Sequence, residues 1–119
     1  MTRNMSFSMT TEAVRDRSKT VTRRLGWWTL QPGEVLQAVE KAQGLRKGEH
    51  VKPICLIRVV DSKRESLYWL DALPFYGASE TAAEGFPDLN GPGFVDMFCK
   101  ANGCARRTIV NRIEFEYLP

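Results

Sequence analysis

Hydrophobic and polar residues alternate with a period of two at both ends of this chain, and take a helical period late in between. At 3–9, Met5, Phe7 and Met9 alternate with Asn4, Ser6 and Ser8, the pattern of a strand with one buried face. Near the other end Ile109, Asn111, Ile113, Phe115 and Tyr117 alternate with Val110, Arg112, Glu114 and Glu116, which predicts a long closing strand within 106–118. The segment "TTEAVRDRS" at 10–18 predicts a helix of about two turns behind a threonine cap. "KTVTRRL" at 19–25 reads as a short strand, and Pro32-Gly33 as the turn ahead of another over 34–40. A further turn over 42–53 leads into "ICLIRVVDSKRESL" at 54–67, the strongest strand signal in the chain. "LQPGEVL" at 30–36 and "LRKGEHV" at 45–51 share one pattern, two similar entries from turn to strand rather than a solenoid repeat.

From Ala78 the period lengthens. "ASETAAEGF" at 78–86 spaces Ala and Glu helically and ends at Gly85. Phe94, Met97 and Phe98 fall at i, i+3 and i+4 of a helix that Gly103 closes, and are expected in the core. The order β-α-β-β-β-α-α-β has too few helices for a doubly wound sheet. It predicts an α+β fold: a small, mostly antiparallel β-barrel with helices packed on one side.

The 119 residues are expected to form a single domain over 1–119, and 43% hydrophobic content suffices for one core. No run of about 18 apolar residues occurs, so no membrane partner is expected. The first residues lack the apolar core of a signal peptide, which points to the cytoplasm. Cys55 lies in an apolar run. Cys99 and Cys104 are spaced C-x4-C with only His50 elsewhere, a poor zinc set. Reduced thiols, no metal and no cofactor are the expectation; His50 reads as a polar turn residue, and a monomer is the default.

The net charge of +3 says little about partners, but its distribution says more. Residues 1–24 carry a net +4 and residues 75–98 a net −4. The two regions either meet at a polarised cleft or form separate solvated surfaces. Four cations, three hydroxyls and two tryptophans crowd into "RSKTVTRRLGWW" at 17–28. That stretch is either an edge strand protected by charge or one wall of a ligand site. Adjacent Trp27 and Trp28 cannot both enter one core from a strand. One is then free to stack on a base, or to lie as a lid over the barrel mouth.

In this order the elements resemble the ASCH domains of the PUA-like superfamily. The likeness rests on "RSKTVTRR" at 17–24, "PGEVL" at 32–36, "AAEGF" at 82–86, "FVDMF" at 94–98 and "NRIEFEYL" at 111–118. "RRLGWW" and "MFCKANGC" look similar to small members common in phages and prophages. The resemblance implies a barrel with a cleft beside its helices that faces RNA or a modified nucleoside. Members range from RNA-binding modules to a bacterial amidohydrolase that removes acyl groups from the exocyclic nitrogen of cytidine. Its reactive group is a lysine, a threonine three residues later and a glutamate from the helical region. Lys19 and Thr22 match the first two; Glu84 matches the third, with Glu80 as rival. Arg23 stands where those enzymes have an apolar residue, and residues 25–50 are longer and more aromatic.

Chemically the set is workable. A lysine whose pKa is lowered by burial and neighbouring cations can take a proton from a threonine hydroxyl, and a carboxylate can then protonate a leaving amine or orient water. On a regular strand Lys19 and Thr22 would face opposite ways, so a shared cleft requires Lys19 to sit at the helix-to-strand junction. The ligand-binding set is Arg17, Arg23, Arg24, Trp27 and Trp28. Three readings follow: a nucleic-acid or modified-nucleoside binder, an amidohydrolase acting on an acylated base, or an interaction protein of phage type without chemistry.

Overall fold

The structure, a computed structural model, describes residues 2–42 and 44–119. Gln43, which lies outside these, belongs to the turn expected over 42–53; the described residues of that turn up to Lys52 form neither helix nor strand. The elements are β1 (Arg3–Ser6), α1 (Thr11–Arg15), β2 (Val21–Arg24), β3 (Val35–Val39), β4 (Pro53–Ser66), α2 (Tyr68–Ala72), α3 (Pro74–Ala83), α4 (Gly91–Asn102) and β5 (Ile109–Tyr117). The strands form one sheet in the order β1-β3-β4-β5-β2, curled into a half-barrel. β1 runs parallel to β3, and the other neighbours are antiparallel.

The two edges of the sheet are joined by a side chain instead of a ladder: Nη2 of Arg24 on β2 donates to the carbonyl of Ser6 on β1 at 2.6 Å. Inside the curl, Met5, Phe7, Leu36, Ile57, Val59, Ile113 and Phe115 make the barrel core. The alternating strands supply it because every second side chain points to the concave face. A second cluster, Leu67, Leu70, Phe94, Val95, Phe98 and Val110, packs the helices. The 14-residue β4 serves both, pairing first with β3 and then along β5, with a register shift between Val59 and Asp61.

Two helical expectations are corrected. The helix expected over 78–86 begins at Pro74, and the short helix α2 precedes it. Leu73 separates the two in an extended conformation because a residue before proline avoids the helical region. Leu67 and Leu70, three apart, anchor α2 in the second cluster. α4 ends as expected at Gly103, which takes the left-handed conformation, and at its start the Asn90 side chain accepts from the Gly93 amide at 2.8 Å. The three helices converge where Gly77 faces Gly91. A Cβ on Gly91 would lie 2.0 Å from the Leu70 carbonyl oxygen, and one on Gly77 2.5 Å from it. No helix among the described residues is long and apolar enough to cross a membrane.

Candidate functional site

A cavity of about 750 Å³ opens between the barrel and the helices. Its lining combines a polar and charged set, Lys19, Thr22, Arg23, Arg24 and Glu84, with Phe7, Trp27, Phe86, Phe94, Met97 and Phe98. Phe94 and Phe98, expected in the core, are buried and also form wall.

Lys19 and Thr22 share this cavity because Lys19 precedes β2, before alternation begins. The junction is fixed on three sides. The Lys19 amide donates to Ala13, the Thr20 amide donates to Ala83, and the Tyr117 hydroxyl donates to the Lys19 carbonyl at 2.6 Å. The Lys19 ammonium is buried, donating to the Glu84 carboxylate at 3.0 Å and to the Glu84 carbonyl. Burial pushes its pKa down, against the pull of Glu84.

Arg23 points the other way, from β2 toward α3, as alternation requires. Its guanidinium is fully enclosed by three carboxylates: Glu84 at 3.1 Å, and Glu65 and Glu80 each at 2.6 Å. Arg112, its register partner on β5, also binds Glu80, at 2.5 and 3.1 Å. The Tyr76 hydroxyl donates to Glu65 at 2.6 Å. Three cations, Lys19, Arg23 and Arg112, thus face three carboxylates, Glu65, Glu80 and Glu84. Glu84 reaches the cavity, whereas Glu80 is spent on the two arginines.

Burial alone would raise the Glu80 carboxyl, but hydrogen bonds from Arg112 and Arg23 hold it below the usual carboxylate range. A carboxyl depressed in the folded state contributes stability above its unfolded pKa and loses it as pH falls through the folded one. Urea midpoints measured against pH should therefore drop below about pH 4. Glu80→Gln should start lower and show a shallower acid limb.

Arg24 returns to the concave face. Its Nε donates to the Thr22 hydroxyl oxygen at 3.0 Å, and its guanidinium lies 4.8 Å from the Phe7 ring centre. Burial pushes its pKa down to about 10, with Glu84 opposing. Trp27 adopts φ of +59°, a conformation rare for a bulky residue, and Asn111 Nδ2 holds its carbonyl at 2.8 Å.

Two residues expected at the ligand site lie elsewhere. The left-handed Gly26-Trp27 turn sends Trp28 outward, 42% exposed, beneath Arg64 at 5.0 Å. Arg17, in a left-handed turn after α1, reaches the Leu118 carbonyl and the Tyr117 ring. Conversely, sequence reasoning passed over Arg112, Glu65 and Tyr76. Arg112 and Glu65 look like solvated strand positions, and only the pairing register and the helix laid over it bring them to Arg23.

Cys99 and Cys104 place their sulfurs 3.8 Å apart at the end of α4, and Cys55 sits on β4. Among the described residues no cluster of three or more His, Cys, Asp or Glu is placed to hold a metal.

Fold and site together define an α+β half-barrel with a charged cavity under a helical cap. This is an ASCH-type fold, as the sequence resemblance implied. It is shared by a protein of Enterococcus faecalis V583 described by the family model DUF984, at 14% identity and TM-score 0.66, over 99% of this chain and 80% of the other. An ASCH domain from Lactobacillus crispatus JV V101 aligns at 15% identity and TM-score 0.56, over 97% and 79%. At these identities the likeness is one of fold. No protein-family model and no curated protein matches the sequence.

Proposed function

We propose that the cavity binds a nucleobase or modified nucleoside, free or within an RNA strand. The observation that carries this reading is the lining: aromatic rings and an ordered set of hydrogen-bonding groups around one space of about 750 Å³. That volume is within the roughly 300–1,000 Å³ typical of small-molecule sites. Phe and Trp faces suit base stacking, and Thr22, Lys19 and Glu84 offer polar contacts to a base edge. The ASCH resemblance, which includes RNA-binding modules, supports the same reading.

Hydrolysis of an acylated base is the second reading, favoured by the convergence of Lys19, Thr22 and Glu84 on one cavity and by the lowered Lys19 pKa. The Thr22 oxygen already accepts from Arg24, so its proton is free to be given up. In this reading Lys19 first gives its extra proton to water, and the free amine then takes the Thr22 proton as Thr22 attacks the acyl carbonyl. The acyl–nitrogen bond breaks as that proton passes to the exocyclic nitrogen, leaving an acyl-threonine. Water oriented by Glu84 then hydrolyses the ester and restores the hydroxyl.

One experiment tests both readings. The protein is titrated calorimetrically with modified nucleosides, acetylcytidine included, and with short single-stranded RNAs, and the mixtures are analysed by chromatography and mass spectrometry. Saturable binding, weakened about tenfold by Thr22→Val as one polar contact is lost, is the expected result. Acyl release by the native protein and not by Lys19→Met would add the hydrolase. Absence of binding across the panel would overturn the proposal.

A further inference from the structure

Of the cations at the cavity whose side chains are buried or partly buried, one lacks a carboxylate partner among the described residues. Lys19 has Glu84, Arg112 has Glu80 and Glu114, and Arg23 has Glu65, Glu80 and Glu84. Arg24 has no carboxylate within ion-pair distance among the described residues, although it lies largely inside the fold. The one carboxylate in the cavity lining, Glu84, is already shared by Lys19 and Arg23. A largely buried cation without a counter-charge is costly, and a structure that retains one has a use for it.

The guanidinium is also aimed. Nε is held by Thr22, Nη2 by the Ser6 carbonyl, and the plane by the Phe7 ring. Nη1 has no hydrogen-bond partner among the described residues, yet it is not sealed from solvent, and Arg24 lines the cavity. Lys41, exposed, lines the same cavity. An oriented N–H edge in a cavity that a second, exposed cation also lines suits a phosphate oxygen, since arginine–phosphate hydrogen bonds are charge-assisted and directional.

We infer that the ligand of this cavity carries a phosphate seated on Arg24, so that a nucleotide, or a nucleoside within a strand, is bound in preference to a free nucleoside. This rests on the base-binding reading above and specifies its ligand class. A neutral nucleoside fills the aromatic part of the cavity and leaves the Arg24 charge unmatched.

The test is calorimetric titration of the native protein and of Arg24→Gln and Arg24→Lys with cytidine, cytidine 5′-monophosphate, the dinucleoside phosphate CpC and inorganic phosphate. The readout is the ratio of dissociation constants within each protein, so a general loss of affinity cancels; circular dichroism confirms that the variants fold. The expected result is a preference of about tenfold or more for a phosphorylated probe over cytidine, reduced below about twofold in Arg24→Gln and partly kept in Arg24→Lys. A stronger preference for the monophosphate assigns a free nucleotide, and one for CpC assigns a strand. Equal affinity for cytidine and its phosphates in the native protein overturns the inference while leaving base binding intact. Phosphate binding that needs Arg24 without any cytidine binding supports the anion seat and removes the base-binding reading. No preference and no phosphate binding removes the seat.

Discussion

Arg23→Met should lower the free energy of unfolding by about 3–5 kcal/mol, read from urea denaturation at neutral pH. The side chain is fully enclosed, and its removal leaves Glu65 and Glu80 to Arg112 alone or to no cation, and Glu84 to Lys19. Methionine fills much of the volume, so the loss reports uncompensated carboxylates more than a cavity. For a chain of this size it corresponds to a fall in Tm of roughly 10–20 °C. Arg23→Lys should recover only part of it, because an ammonium offers three donors from one nitrogen, whereas the Arg23 guanidinium reaches Glu84 from one terminal nitrogen and Glu65 and Glu80 from the other. A loss below about 1 kcal/mol would mean that the cluster behaves as a solvated surface network.

Gly91→Ala should be comparably damaging, with a loss of about 3 kcal/mol or more. Alanine is the better helix former by about 1 kcal/mol, so local propensity argues for stabilisation. Packing decides otherwise: the added carbon would sit 2.0 Å from the Leu70 carbonyl oxygen and 3.0 Å from the Gly77 Cα, both backbone atoms. The start of α4 must then move, and overpacking of that kind costs about 1–3 kcal/mol even where side chains can yield. Gly93→Ala is the control. Its new carbon would meet only the side chains of Asn90 and Leu89, at 3.0 Å and beyond, and should cost under about 1 kcal/mol. Because α4 carries Phe94, Met97 and Phe98 into the cavity wall, Gly91→Ala should also weaken nucleoside binding in the titrations above.

Periodicity made the strands legible. β5 alternates from Ile113 to Tyr117 because that face packs the barrel core, whereas at its start Ile109 is exposed and Val110 enters the helical cluster; β4 reads as a strand because its first half is apolar enough to reveal the rest. α2 was hidden because "LYWL" is rich in residues that favour strands, and its two anchoring leucines are too few to display a helical period. At the site, the Lys19, Thr22 and Glu84 trio was legible through spacing and resemblance, since a residue at a helix-to-strand junction escapes alternation. The arginine–carboxylate cluster was not legible. Arg23, Arg112, Glu65 and Glu80 come from four elements, and their polar positions carry the same sequence signature as a wet surface. The outward turn of Trp28 depends on backbone angles at Gly26 and Trp27 that no spacing rule encodes.

The sheet order has a bearing on how the molecule is made. β2, which carries Thr22, Arg23 and Arg24, finds its ladder partner only in β5 at 109–117, although it lies among the first strands to be synthesised. Emerging from a ribosome, it has no strand to pair with until almost ninety further residues have followed. Contacts of such long sequence separation form slowly. The wall of the cavity that β2 supplies therefore gains its ladder only once β5 has been made and can pair with it.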